Sequence, residues 1–327
     1  MNPPTPLTPD CWAISDGAAG NERQALALAR ALGLEPRVVR LDLRQPWAAF
    51  APRLTRGART AIRDSDGSPL APPWPAIAIG CGRRAALVTR LLRGWSGGHT
   101  FTVQILDPRI NTAAFDVVIA PQHDRVRGKN VLHSIGALNV VDRDWLAAGR
   151  KRFAQLAMLP APRTAVLIGG SNHAQRLDPA YFDALLERLA ARRATDGGSF
   201  LVSVSRRTPE SITTALRNAF ANFPGVFWDG SESENPYAGF LAWADRIIVT
   251  PDSVNMLSEA AATGKPLYTF ASRPITGKLA GFHTELIASG YLRRLDDATH
   301  RPQPEPLAET NAIAELVHER WRNRDVV

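Results

Sequence analysis

The stretch Ser15-Asp16-Gly17-Ala18-Ala19-Gly20-Asn21-Glu22-Arg23-Gln24 gathers two carboxylates, two amides and two glycines directly after an apolar run. Small residues at such a point let a ligand approach exposed backbone N–H groups where a helix begins. It is not the dinucleotide fingerprint, because Asp16 stands where the first glycine belongs and only Gly17 and Gly20 remain. The competing reading is a tight turn in which Asp16 caps the helix. Gly80-Cys81-Gly82-Arg83-Arg84-Ala85 is a formal GxGxxA, and Asp107 ends a later strand where a ribose-binding acid would stand. It is not on the first strand, however, and no tyrosine has a lysine four residues later, which argues against nicotinamide chemistry. Arg83 and Arg84 suit an anionic group at a helix start, or plain solvation. Gln104-Ile-Leu-Asp107-Pro-Arg109 and Ile119-Ala-Pro-Gln-His123-Asp124 put further polar side chains just past apolar strands. His123 beside Asp124 has the makings of an oriented base, against a purely structural histidine.

The second half carries the denser set. Gly169-Gly170-Ser171-Asn172 is another glycine-rich turn after a strand, and Ser205-Arg206-Arg207-Thr208 sets two arginines where a helix N-terminus already favours an anion. Thr250-Pro-Asp252-Ser253 leads into a helix carrying Glu259, and Ser253 with its neighbouring N–H groups is suited to a phosphate. At 1.5 Å per residue Glu259 lies about 9 Å further along that axis, near where a nucleotide's ribose would lie. Any one of these turns has a structural reading; three at one sheet edge point to a ligand, because that edge is where open α/β sheets bind. Metal signals are poor: the histidines lack paired spacing, and Asp64-Ser-Asp66 and Asp142-Arg-Asp144 read as a loop and a helix start. No metal and no resident cofactor are expected.

These residues need strands that end together. Cys11–Ser15, Val38–Leu43, Ala76–Ile79, Phe101–Leu106, Val117–Ala120 and Asn130–Ile135 read as strands, with helices over Glu22–Leu32 and Arg83–Leu92. Thr164–Ile168, Phe200–Val204, Ile247–Val249 and Leu267–Phe270 repeat the pattern around helices at Pro179–Arg193, after Thr208-Pro209-Glu210, and at Ser253–Ala262. A helix over Asn311–Trp321 closes the chain. The fold class expected is α/β, with two Rossmann-like doubly wound domains facing across a cleft. Leu159-Pro-Ala-Pro162 suggests the boundary, giving domains at 1–160 and 161–327, with the last helix returning towards the first.

With 327 residues the chain exceeds one core's usual size, and 45% hydrophobic with 21% charged residues excludes wholesale disorder. No apolar run is long enough to span a bilayer, and no signal peptide is visible. Cys11 and Cys81 sit in or beside apolar runs, as buried free thiols of a reducing compartment do. The formal charge is +8, but only four of the 39 basic residues are lysines and none forms a block. Anionic ligands or an anionic membrane face therefore fit better than nucleic acid.

Trp12-Ala-Ile-Ser-Asp-Gly-Ala-Ala-Gly-Asn-Glu-Arg-Gln24, Gln104-Ile-Leu-Asp-Pro-Arg109, Ser205-Arg-Arg-Thr208 and Thr250-Pro-Asp-Ser-Val-Asn-Met-Leu-Ser-Glu-Ala260 resemble the family of the plant mitochondrial-fission factor "elongated mitochondria". Its bacterial members resemble GT-B glycosyltransferases, and the likeness spans nearly the whole chain. It implies a metal-independent transfer of sugar from a nucleotide-sugar to a cell-envelope glycolipid or polysaccharide. The second domain would then hold the donor through Gly169, Gly170, Ser171, Ser205, Arg206, Arg207, Thr208, Asp252, Ser253 and Glu259. The first would take the acceptor at Gly17, Gly20, Asn21, Gln104, Asp107 and Arg109. Asp16 is the first choice of catalytic base, with Glu22 and His123 competing. The alternatives are a non-enzymatic adaptor that recruits a dynamin-like protein at a membrane and, third, a nicotinamide-dependent nucleotide-sugar epimerase. The expected location is cytoplasmic, with peripheral contact at the inner membrane face.

Overall fold

A computed structural model describes residues 10–172, 174–231, 234–297 and 305–326. The chain forms two compact units, one built from the described residues up to Val140 together with those from Glu309 onward, the other from Val141–Ala308.

The first unit runs β1 (Cys11–Ser15), α1 (Ala19–Ala31), β2 (Pro36–Leu43), two single-turn helices α2 (Trp47–Phe50) and α3 (Ala58–Ala61), and β3 (Ile62–Asp64). It continues with β4 (Ile77–Cys81), α4 (Arg83–Trp95), β5 (Phe101–Ile105), β6 (Val117–Pro121) and β7 (Val131–Ser134). The seven strands stand in the order β3-β2-β1-β4-β5-β6-β7. All pair in parallel except β3, which runs antiparallel to β2 at the edge. Strands β1, β4, β5 and β6 are buried along their whole length, as sheets covered on both faces require. Alternation sorts their side chains. Cys11, Ala13, Ile77 and Ile79 pack with Ala25 and Leu28 of α1, whereas Trp12, Ile14 and Ala78 pack with Ala85, Val88 and Leu92 of α4. Each fully buried aliphatic side chain there contributes about 1.5–3 kcal/mol.

The second unit begins with α5 (Arg143–Arg152), whose N-cap Asp142 accepts from the Trp145 N–H at 2.7 Å. It continues through β8 (Arg163–Ile168), α6 (Pro179–Asp196), β9 (Ser199–Val204), α7 (Glu210–Phe220), β10 (Gly225–Trp228) and α8 (Tyr237–Trp243). Then come β11 (Arg246–Val249), α9 (Val254–Ala261), β12 (Leu267–Thr269), α10 (Gly277–Ala288) and β13 (Leu292–Arg294). The order is β10-β9-β8-β11-β12-β13, parallel throughout. The division between units falls at Val140/Val141 and not at 160/161. The reason is α5: Arg150 donates to the Ala242 carbonyl, and the Trp243 indole donates to the Arg150 carbonyl, tying α5 to α8. The last helix, α11 (Glu309–Arg322), belongs to the first unit. Glu309 accepts from the Ile135 and Gly136 N–H groups, Ile313 and Val317 enter the core, and Trp321 stacks on Phe101.

Among the described residues no helix is long and apolar enough to cross a membrane. Both sheets are doubly wound, and each reverses direction once, between β1 and β4 in the first unit and between β8 and β11 in the second. Those two points are where such folds leave a crevice at the carboxyl ends of the strands.

Candidate functional site

In the first unit the chain of polar contacts starts at the reversal point. Asp16, just past β1, accepts through Oδ1 from Asn21 Nδ2 at 3.0 Å and from the Ala18 N–H at 3.3 Å. The Asn21 amide lies so close to Gly82 that a Cβ there would meet it at 2.6 Å. Gly82 (φ +88°) is the N-cap of α4, and its carbonyl accepts from the buried Gln104 side chain at 3.2 Å. Asp16, Asn21, Gly82 and Gln104 thus form one contiguous row across the ends of β1, β4 and β5. Gly17 (φ +80°) makes the turn, and Gly20 opens α1.

Other residues singled out from sequence have different partners. Glu22 accepts both guanidinium bonds of Arg40 at 2.7 Å, and those bonds hold its carboxyl below the usual range. Asp107 accepts from the Arg109 N–H at 2.8 Å, and Arg109 gives its carbonyl to Arg53. His123 lies in the 3-10 turn Gln122–Asp124 after β6. Since β6 is three strands from β1, it stands roughly 14 Å away from Asp16 at the usual strand spacing. Arg83 is not turned to an anion site: its guanidinium donates to the carbonyls of Ala48, Ala49 and Ala51.

In the second unit Asp252 organises the turn. Its fully buried carboxylate accepts from Thr250 Oγ1 at 2.6 Å, the Gly170 N–H at 3.1 Å and Arg207 Nη2 at 3.0 Å. Burial pushes its carboxyl up, and these three partners oppose the shift. Thr250 Oγ1 also accepts from the Gly169 N–H, and Asn172 donates to the Asp252 carbonyl. Only glycine fits at 169, where a Cβ would sit 2.2 Å from Asp252 Oδ2, and at 170, where it would sit 2.7 Å from the Arg207 backbone. Thr208 does not cap α7. Its hydroxyl donates to the Gly169 carbonyl at 2.7 Å, and Pro209 holds the cap position. Ser171 bonds both ways with Leu177, Ser205 accepts from the Arg207 N–H, and Arg206 is exposed.

Ser253 caps α9, accepting from the Met256 N–H at 3.4 Å. Glu259, on the buried side of α9, accepts from the Tyr237 hydroxyl at 2.5 Å. The structure therefore brings Gly169, Gly170, Arg207, Thr208 and Asp252 together at the β8/β11 reversal. Thr250, Asn172 and Tyr237 have no assigned role in the sequence reading. Thr250 and Asn172 lie within the quoted motifs, but nothing local marks Tyr237, which lies 22 residues before Glu259.

The fold is shared with solved structures of low sequence identity. UDP-GlcNAc 2-epimerase from Neisseria meningitidis, bound to UDP-GlcNAc, aligns with a TM-score of 0.56 at 10% identity, over 95% of this chain and 99% of that one. The glycotransferase of kitacinnamycin aligns at 0.54 and 14% identity, over 97% and 95%. In sequence, the mitochondrial fission protein ELM1 of Arabidopsis thaliana is 31% identical over 67% of this chain, which spans 57% of that protein. RP120 of Rickettsia prowazekii (strain Madrid E) is 27% identical over 94% of this chain and 97% of its own. A sequence model described as mitochondrial fission ELM1 matches residues 19–321, and the chain belongs to that family.

Proposed function

We propose that the protein is a glycosyltransferase that takes its sugar from a nucleotide-sugar donor. One observation carries the reading: a cluster of polar groups lies at the direction reversal of each of two doubly wound sheets, where such folds bind ligands. On this reading the donor diphosphate meets Arg206 and the N-terminus of α9, whose first N–H groups point outward beyond Ser253. Glu259 takes the ribose hydroxyls in place of, or beside, Tyr237. The acceptor is a cell-envelope glycolipid or saccharide taken at the Asp16–Asn21–Gln104 row, with Asp16 accepting its proton. No resident cofactor or metal has a part in this scheme, and the nucleotide-sugar is the co-substrate. Support comes from the fold likeness to a glycotransferase and to proteins whose structures hold UDP or UDP-GlcNAc.

The test is a panel of nucleotide-sugars scored by thermal stabilisation, followed by turnover with a bacterial glycolipid extract. Binding at 100 times Kd adds about 2.7 kcal/mol to stability, so a true donor stands out. No stabilisation by any nucleotide-sugar would sink the proposal. Epimerase likeness supports a second reading, in which the bound nucleotide-sugar is itself the substrate. Sugar conversion without any acceptor would select it.

A further inference from the structure

Between β2 and α3 the chain makes an insert at the carboxyl edge of the first sheet. From Leu43 to Arg63 it carries Arg44, Arg53, Arg56, Arg59 and Arg63 and no acid. The insert is folded on itself: the Trp47 indole donates to the Arg56 carbonyl, and the ring lies over Gly57. It is also clamped from below. Arg83 holds the carbonyls of Ala48, Ala49 and Ala51, and Arg90 holds that of Pro52. Held this way, α2 presents Phe50 outward with 62% of its surface exposed, flanked by exposed Pro46 and Ala49. Among the described residues Arg44 and Arg56 form no ion pair, so their charge faces solvent uncompensated. The contrast is Met158, which is more exposed still. The basic residues near it, Arg152 and Arg163, are paired with Glu234 and Asp245.

We infer that this insert is a docking surface for an anionic lipid bilayer, with Phe50 entering the headgroup–acyl boundary and Arg44 and Arg56 meeting lipid phosphates. Arg53 and Arg59 are engaged, the one with the Arg109 carbonyl and the other over Trp74 and Trp95, which leaves Arg44 and Arg56 as the free charges of the insert. An exposed aromatic ring in the same short insert as two such arginines fits a boundary where apolar and anionic chemistry adjoin. A soluble polyanion offers the charge but no apolar layer. Because Arg83 follows Gly82 directly, docking would bring the Asp16–Gln104 row to the membrane surface. The corollary that the acceptor is lipid-borne rests on the transferase reading; the docking itself does not.

The full chain is sedimented with phosphatidylcholine vesicles, with and without phosphatidylglycerol. Binding is expected only with the anionic lipid. Each arginine near a charged bilayer is worth roughly fivefold in affinity, so Arg44→Gln with Arg56→Gln should lose roughly 25-fold. Phe50→Ser should lose roughly tenfold, since a buried apolar side chain is worth that much or more. Arg30→Gln with Arg143→Gln removes the same charge from exposed positions elsewhere and should change little. All these side chains are exposed, and melting temperatures check that each variant is folded. Equal loss in the Arg30/Arg143 control, no binding by the wild type, or wild-type binding by Phe50→Ser would each overturn the inference. The last result would leave a contact made by charge alone, with no apolar insertion. Nucleotide binding without vesicles should be unchanged in every variant, so failure of the donor proposal and failure of this one are read separately.

Discussion

The Tyr237 hydroxyl donates to Glu259 Oε2 at 2.5 Å, joining the first residue of α8 to the buried side of α9. At that length the bond is charge-assisted and among the stronger ones in the unit. Tyr237→Phe should therefore destabilise the protein by about 1.5–3 kcal/mol, read as a lowered denaturation midpoint. If the ribose hydroxyls of a nucleotide compete for the same oxygen, they should recover part of that loss. The nucleotide would then raise the melting temperature more in Tyr237→Phe than in the wild type. An equal rise in both would separate Glu259 from the ribose.

Asp252 and Arg206 should behave oppositely. Asp252 is buried and ties three neighbours, so Asp252→Asn should cost about 1.5–3 kcal/mol of stability and weaken nucleotide binding with it. Arg206 is exposed, so Arg206→Ala should leave stability within about 0.5 kcal/mol. It should still weaken a nucleoside diphosphate by about 1.5–3 kcal/mol, the range for a bond to a charged group. Calorimetric titration of both variants, set beside their urea midpoints, checks the pairing of effects.

How much of this was legible in the sequence differs by scale. Strands such as β1 and β9 stand out because both faces are buried, which makes a short continuous apolar run. Short edge strands such as β3 and β13 have neither the length nor the pattern, and the single-turn helix α2 is held by bonds from α4. The unit boundary was misread because Pro160 and Pro162 punctuate the chain, whereas α5 is held by α8, more than eighty residues on. At the sites, glycine turns after strands were visible, but side-chain commitments were not. Glu22 is bound by Arg40 and Arg83 by α2, pairings set by tertiary neighbours with no local signal.

Lys265 offers a pH signature. Its ammonium donates to the Leu241 and Ala242 carbonyls at the end of α8, and burial pulls its pKa from 10.5 down to about 8. Above that value the folded chain releases the proton while the unfolded chain still holds it. More protons on the unfolded state mean that stability rises with pH. The Lys265 contribution should thus grow from about pH 8 to 10.5 and fall away as pH drops through 8. Subtracting the denaturation profile of Lys265→Met from that of the wild type isolates it from cysteines and tyrosines. A flat difference over this range would show that the ammonium stays protonated beside those carbonyls.

Asp16 carries the most exacting prediction. Its Oδ1 already accepts from Asn21 and from the Ala18 N–H, and Asp16→Asn can keep both bonds through the amide oxygen. The turn and the start of α1 should survive, with stability changed by less than about 0.5 kcal/mol, as for other substitutions that keep the local bonds. What the change removes is the second oxygen's capacity to take a proton. If Asp16 is the base, turnover should fall roughly 10²–10⁴-fold, the usual worth of a positioned general base, while nucleotide affinity in the second unit stays the same. Glu22→Gln supplies the comparison. Glu22 is bound to Arg40 through both oxygens, so its change should cost some stability but much less turnover. Near-normal turnover in Asp16→Asn would leave the residue as the fastener of its turn and move the base to His123, whose replacement by Gln would then have to abolish the reaction.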